Sequence, residues 1–445
     1  MLRDAANRAV DLARALPGGS ATLYASRAEA LPAAPLAAFA AAAGQGRLLL
    51  WQGDSWLLAT GVCRAMQASG PGRTYHLAES VSTLRSQTVT VGGELLLCVQ
   101  QSFESRPPGP SAWGPALPGS RLLLPRHLLW RRSADDCRRI AALPVNEADR
   151  PVDLANRLYD EAVPLLPPTP TEPWLASTSP AYTELVGDAL DLLRHGIMRK
   201  VVLARSADHR FITAIDLLQA LDHLHHHADE RTYVYAVDLP DGACFIGATP
   251  ELLFETQGAA CSALSLAGSR ARHSDPARDR VLADELLAST KERKEHQLVV
   301  EHLQRVLEPR CSELRIPSSP TIRQLARLQH LETTLTGQLI DPDPFDVLGS
   351  LQPTPAVAGL PVDAAQAFIA RHEGLHRGLY TGSLGLLHAD TARFIVPLRG
   401  GIVSPDRQQA RCFAGAGIVE SSEAQAEWDE TELKLRPMRQ ALGIE

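Results

Sequence analysis

Residues 413–435, FAGAGIVESSEAQAEWDETELKL, constrain this chain more tightly than any other stretch. The first half reads as a strand entering a glycine turn. Gly415 and Gly417 flank Ala416, so the backbone there can turn sharply and come close to another group. N–H groups exposed in such a turn suit a carboxylate or phosphate oxygen. The second half reads as a helix. Glu427 and Glu430 are three apart and share one face, with Lys434 four residues beyond Glu430 on the same side. Two adjacent carboxylates repel unless a cation sits between them, which points to a site joining a metal to an acidic small molecule. A surface helix with ordinary i,i+3 and i,i+4 charges accounts for the same letters, so the rest of the chain must decide.

At 445 residues the chain can bury a large core, as two or three domains or as one large α+β unit. Its formal net charge of −7 argues against a sequence-independent nucleic-acid partner, though not against an anionic substrate, since local charge governs a pocket. The seven cysteines are scattered and form no CxxC pair. That pattern fits idle thiols in a reducing cytoplasm, not a disulfide framework or a zinc site. The N-terminus has mixed charge and no apolar core of a signal peptide, and the Ala-rich run 36–43 is too short to span a bilayer. A cytoplasmic protein without membrane attachment is the expectation.

Short apolar runs at 48–51 and 95–99 read as strands and 33–43 as a helix, followed by a Pro/Gly loop at 106–119 and a strand from Arg121. The Pro-rich stretch 164–173 is either a linker or a long surface connection. A helix from Pro180 to about Gly196 precedes KVVLAR (200–205), a strand whose Lys200 reads most simply as a solvated edge residue. Residues 233–237 and 244–248 pair as strands and lead into Thr249-Pro250-Glu251. A short strand, 265–270, ends in a small-residue turn. One long helix from about Ala277 to Leu307 carries Glu292 and Glu295, again three apart on one face. If the two acid-bearing helices meet, four carboxylates converge, and burying them without a divalent cation is very unfavourable. Oxygen-only ligands favour Mg²⁺ over zinc or copper. Residues 330–337 read as a strand and turn, and 377–385 and 392–400 as antiparallel strands.

In this order, KVVLAR, GATPELL (247–253), LAGSR (266–270), STKERKEH (289–296), QHLETTLTG (329–337), RGLYTG (377–382), FAGAGIV and EWDETELKL resemble the chorismate-utilising enzymes: isochorismate, salicylate and aminodeoxychorismate synthases and anthranilate synthase component I. The likeness covers about residues 179–442. The loop QPTPA (352–356) is similar to the isochorismate branch, with Gln352 where histidine is usual; Ser269 likewise stands where threonine is common. The resemblance implies an α+β fold of stacked, mostly antiparallel sheets wrapped by helices. Residues 1–175 would then be the N-terminal part of the same globule and 176–445 the chorismate-binding catalytic core.

For the site, the resemblance implies Lys200 as the base that activates water and Glu251 as the acid that protonates the leaving C4 hydroxyl. That requires a depressed lysine pKa and a raised glutamate pKa. Mg²⁺ would be held by Glu295 and Glu430 directly and by Glu292 and Glu427 through water. Gly268 and Ser269 would border the ring carboxylate. Arg399, Tyr380 and the backbone at Gly415, Ala416 and Gly417 would meet the enolpyruvyl carboxylate, since an arginine fork suits that group. Lys434 would add positive charge, and His330 would line the ring pocket. Isochorismate synthase, feeding menaquinone or siderophore and salicylate synthesis, is the leading reading. The alternatives are a salicylate synthase, an ammonia-using synthase and a non-catalytic chorismate-binding protein. A monomer without an amidotransferase subunit is expected.

Overall fold

The computed structural model describes residues 1–105, 119–160 and 182–445. The Pro-rich stretch 164–173 lies outside them, as does the expected loop at 106–119 apart from Gly119. The chain is a mixed helix and sheet fold, as anticipated. Every ladder among the described strands is antiparallel except that between Ser20–Ala28 and Thr88–Val91.

One run of strands places the site. It passes from Gly359–Leu360 through Lys200–Arg210, Gln409–Ile418, Gly400–Val403, Cys244–Thr249 and Tyr233–Asp238 to Arg47–Gln52 and Ser55–Ala68. A second run joins Thr391–Ile395, Leu252–Gln257, Ala260–Ala271 and Leu328–Leu339. Strand Leu96–Gln101 pairs with Ser383–His388, so residues before and after the undescribed segment share ladders. Helix Thr290–Leu307 packs on Ala260–Ala271, and helix Ala424–Ala441 packs on Gln409–Ile418. No described helix is long and apolar enough to cross a membrane.

The local pattern explains these placements. In helix Ala424–Ala441 the buried positions Glu427, Thr431, Leu435 and Met438 form one stripe at helical spacing, so an acid sits on the face turned to the sheet. Leu435 and Met438 join Leu221, Ile246 and Cys412 in the core beneath.

Several expectations are corrected: the strand expected from Arg377 begins only at Ser383, and the one at 330–337 runs on through Leu339 without a turn. Gly415 and Gly417 do not form a turn: they lie inside strand Gln409–Ile418, opposite Ala204 and Val202. The helix expected over 277–307 is two, Pro276–Ala288 and Thr290–Leu307. Ser289 is extended between them and its hydroxyl accepts from the Glu292 N–H, so Ser-x-x-Glu ends one helix and caps the next. The strand at 265–270 does not stop in a turn: it runs through Ala271, with a bulge between Ala267 and Ser269 where Gly268 takes φ +76°.

Candidate active site

Lys200 opens its strand between Leu360 and the Gln409–Ile418 strand, and is 1% exposed. It is therefore not the solvated edge residue its sequence context suggested. A buried ammonium needs a partner, and Nζ lies 3.0 Å from Glu295 Oε1. The glycines of the neighbouring strand make this approach possible. A Cβ on Gly417 would stand 2.3 Å from Glu295 Oε1 and 2.9 Å from Lys200 Cε. The sequence pointed correctly to close approach there, through bare strand backbone instead of a turn.

The two acid-bearing helices meet. Lys291, next to Glu292, reaches across to Glu427 Oε1 at 3.0 Å. Glu430 pairs with Lys434 at 2.6 Å, and Lys434 Nζ donates to the Gly415 carbonyl at 2.9 Å. Glu292 Oε2 accepts from the Ser269 N–H at 3.1 Å beside the Gly268 bulge, where a Cβ would crowd its side chain. Burial pushes the Glu292 carboxyl up to about 7, helped by the charges of Glu295 and Glu430. Glu427 is raised by burial and by Glu430. Burial also acts to raise Glu430, but Lys434, Lys291 and Arg399 outweigh it and hold it below the ordinary value. Among the described residues no three His, Cys, Asp or Glu side chains form a ready metal cluster. Three of the four candidate ligands instead each hold a lysine.

Glu251 follows Thr249-Pro250 at a strand exit and is 5% exposed. The Thr249 hydroxyl accepts from its N–H at 3.2 Å and donates to the Val396 carbonyl at 2.6 Å, fixing the turn. Burial pushes its carboxyl up to about 7 against the pull of Lys200, Arg399 and Lys434. His330 is 4% exposed. Burial and the nearby Arg399 drive it well below its ordinary value, so the ring is neutral. Its Nδ1 lies 3.2 Å from the Gly268 carbonyl and 3.0 Å from Ser269 Oγ, and Nε2 lies 3.4 Å from an Arg399 terminal nitrogen. The network assigns the proton to Nδ1, leaving Nε2 to accept from Arg399. Arg399 itself has φ +50°, a costly conformation for a side-chain-bearing residue. Among the described residues no carboxylate lies within ion-pair distance of it, and Glu430 and Glu251 act only from farther away.

One pocket gathers Glu251, Gly268, Ser269, Glu295, His330, Tyr380, Arg399, Gly415, Gly417, Glu430 and Lys434. Tyr380 stacks on Phe413, rings 5.2 Å apart. Lys200, Glu292 and Glu427 are not in the pocket's lining, though Lys200 touches Glu295 and Glu292 touches Ser269; Ala416 turns away altogether. Its side chain points to the opposite face and packs with Tyr182, Leu203 and Ile418, as alternation along a strand requires. The space that the pocket encloses in part is about 70 Å³. A larger cleft of about 1010 Å³ opens at the other end of strands Ala260–Ala271 and Leu328–Leu339 and contains none of the candidate residues. The candidate residues gather at the smaller space.

Sequence reasoning missed Lys291, quoted within STKERKEH but passed over for its acids, and the pair Glu373–Arg377. Arg377 is fully buried with Glu373, 2.7 Å from Nε to Oε1, and donates to the Val202 and Val357 carbonyls, both at 2.7 Å. Glu373 accepts from the Ala204 N–H at 2.8 Å. A Glu and Arg four apart near a glycine-rich turn was the available signal. Gln352 also gains a role: its Oε1 accepts from Ser383 Oγ at 2.7 Å, tying the QPTPA loop to the sheet.

A buried acid, a buried lysine and a guanidinium whose hydrogen-bond partner is the His330 ring thus come together around one pocket. The chain belongs to the chorismate binding enzyme family, whose pattern it matches over residues 12–443. It is 41% identical over 261 residues to the salicylate biosynthesis isochorismate synthase of Pseudomonas aeruginosa, covering 58% of this chain and 54% of that protein. It is 37% identical over 265 residues to isochorismate synthase EntC of Escherichia coli, covering 59% of this chain and 67% of that one. The chain thus spans about half the length of the first of these relatives. The structure of MenF, the menaquinone-specific isochorismate synthase of Escherichia coli, superposes with a TM-score of 0.75 at 25% identity, over 98% of this chain and 100% of that one.

Proposed function

We propose that this chain is an isochorismate synthase. Water adds at C2 of chorismate, the C4 hydroxyl leaves as water, and the ring double bonds shift, so product and substrate are isomers. One observation supports this above others: Glu251, with its carboxyl at about 7, and the buried Lys200 give an acid and a base at one small pocket. Lys200 takes the proton of the attacking water at Nζ. Glu251 gives its proton to the departing C4 oxygen. Arg399 and Tyr380 receive the enolpyruvyl carboxylate, with Arg399 oriented by the His330 Nε2 acceptor. The buried walls exclude bulk water, which strengthens each of these interactions.

Mg²⁺ fits the donor set, which is all oxygen and whose Glu292 is strained by two neighbouring carboxylates. Glu295 and Glu430 would hold it directly, and Glu292 and Glu427 through water. It would neutralise and orient the ring carboxylate. Holding it requires Glu295 and Glu430 to exchange their lysine partners. The product supplies salicylate, siderophore or menaquinone synthesis.

The test is to incubate purified protein with chorismate and Mg²⁺ and separate the products. Isochorismate alone, lost in a folded Lys200→Ala variant, is expected. Salicylate with pyruvate, an aminated product, or no turnover overturns the reading, and an active Lys200→Ala variant removes the base.

A further inference from the structure

The active-site pocket shares Pro250 and Arg399 with a neighbouring cavity of about 90 Å³. That cavity shares Ala326, Arg327, Leu328 and Leu433 with an outer one of about 310 Å³. Ala326 and Arg327 are exposed, as are His273, Ser274 and Arg436 on the outer wall, so the series opens to solvent. It runs from the surface to Arg399, the guanidinium that receives the enolpyruvyl carboxylate in the function proposed above.

These walls carry cations that the fold leaves uncompensated. Arg272 is engaged: it pairs with Asp279 at 2.8 Å and donates to the Leu325 carbonyl at 2.7 Å. Asp229 lines the 90 Å³ cavity, but Arg323 holds it at 3.1 Å. Arg436 has Glu445 at 4.0 Å, the outer limit of an ion pair. Arg327 differs from all of these. Its backbone carbonyl accepts from the Arg272 N–H at 2.8 Å, yet among the described residues no acid lies within ion-pair distance of its guanidinium. Arg399, at the inner end, also lacks a carboxylate, and its contact with the His330 ring is 3.4 Å long. Two guanidiniums on the walls of one cavity repel each other until an anion comes between them.

We propose that the dicarboxylate substrate reaches the active-site pocket through this series of cavities, guided by Arg327 and passed from it to Arg399. The identity of the anion rests on the chorismate reading; the route rests on the cavities and their charges. The chain carries a formal net charge of −7, which repels a dianion at long range, so its arrival depends on a local positive field at the entrance. Arg327 touches no reacting atom. It is a guiding residue, and its effect falls on arrival and not on the chemical step.

The test is steady-state turnover of chorismate at fixed Mg²⁺ by the wild type, Arg327→Gln and Arg327→Glu, at ionic strengths of about 0.01 M and about 1 M. At the lower salt kcat/KM should fall about threefold for Arg327→Gln and about tenfold for Arg327→Glu, equal steps for each unit of charge, with kcat unchanged. At about 1 M, where screening acts within about 3 Å, the three proteins should coincide. Arg3→Glu, on helix Leu2–Ala15, makes the same charge reversal on an element that lines neither outer cavity, and should match the wild type at both salts. Calorimetric titration of chorismate at the same salts reads the same order without turnover, so a wild type that binds chorismate and does not convert it strikes the reaction while the order among the variants still decides the route. Wild-type kcat/KM in Arg327→Glu at low salt, an equal loss in Arg3→Glu, a loss that persists at about 1 M, or a loss confined to kcat each overturns the route.

Discussion

Replacing Arg377 by Met tests whether the three walls of the pocket are held by one buried ion pair. Arg377 and Glu373 are both fully buried. Removing the guanidinium leaves the Glu373 carboxylate without its counter-charge and leaves the Val202 and Val357 carbonyls without that donor. Breaking a buried pair from one side costs about 3–5 kcal/mol. An unfolding entropy of about 2.1 cal/mol/K per residue gives a 445-residue chain about 0.9 kcal/mol/K. In a single cooperative transition, Arg377→Met should therefore lower Tm by about 3–5 °C. Glu373→Met/Arg377→Met should recover part of that loss, because a paired apolar replacement removes both buried charges. Differential scanning calorimetry on the two variants and the wild type measures this. The same variants should lose turnover more than substrate affinity, since Val202 precedes Ala204 in the Lys200 strand and Val357 lines the pocket. A single variant within 1 °C of wild type, or a double variant less stable than Arg377→Met, would refute the assignment.

Gly417→Ala should abolish turnover while far-ultraviolet circular dichroism stays that of the wild type, because the atoms nearest the added Cβ belong to Glu295 and Lys200; an active Gly417→Ala protein contradicts the close approach. The pH response follows from Glu251 and Glu292, both raised from an ordinary 4.5 to about 7. Between those values the folded state binds more protons than the unfolded state, so metal-free stability falls as pH rises through that window. Turnover should likewise decline as pH rises past about 7 and Glu251 loses its proton. Activity that climbs steadily from pH 7 to 9 would exclude Glu251 as the acid.

Much of the site was legible because its chemistry is written in short local patterns. Three-residue acid spacing on two helices, Thr-Pro-Glu at a strand exit and glycines beside alanine all recur at the pocket. What escaped was whatever depends on a partner distant in sequence. Lys200 looked like an edge residue because nothing near it announces Glu295, 95 positions later, as its counter-ion. Gly415 and Gly417 looked like a turn because the letters show small size but not the lysine and glutamate that need the space. Ala416 was carried along with them, although strand alternation turns it to the other face. The break at Ser289 was legible in hindsight as Ser-x-x-Glu, but the Glu292 side chain serves Ser269, so the box is only half used.

The charges around the pocket make a last prediction about order and coupling of binding. Five acids (Glu251, Glu292, Glu295, Glu427 and Glu430) face four cations (Lys200, Lys291, Arg399 and Lys434), and one proton shared between Glu251 and Glu292, both raised to about 7, makes the two sums equal, four against four. The pocket is close to neutral as it stands, which is why each acid other than Glu251 and Glu292 has found a lysine. A dicarboxylate entering alone adds two negative charges to a buried, nearly neutral site, and a divalent cation alone adds two positive ones; either is penalised by burial. Together they add none. Chorismate and Mg²⁺ should therefore bind with positive coupling, each tightening the other by the same factor, about 5–150-fold for a coupling of about 1–3 kcal/mol. Titrating each ligand in the absence and presence of the other measures both factors. The coupling should shrink in Arg399→Gln, where one cation is gone and the dicarboxylate loses its own anchor. Equal affinities with and without the second ligand would show that the two do not share this charge balance, and Glu295 and Glu430 would then have to be read as structural partners of Lys200 and Lys434.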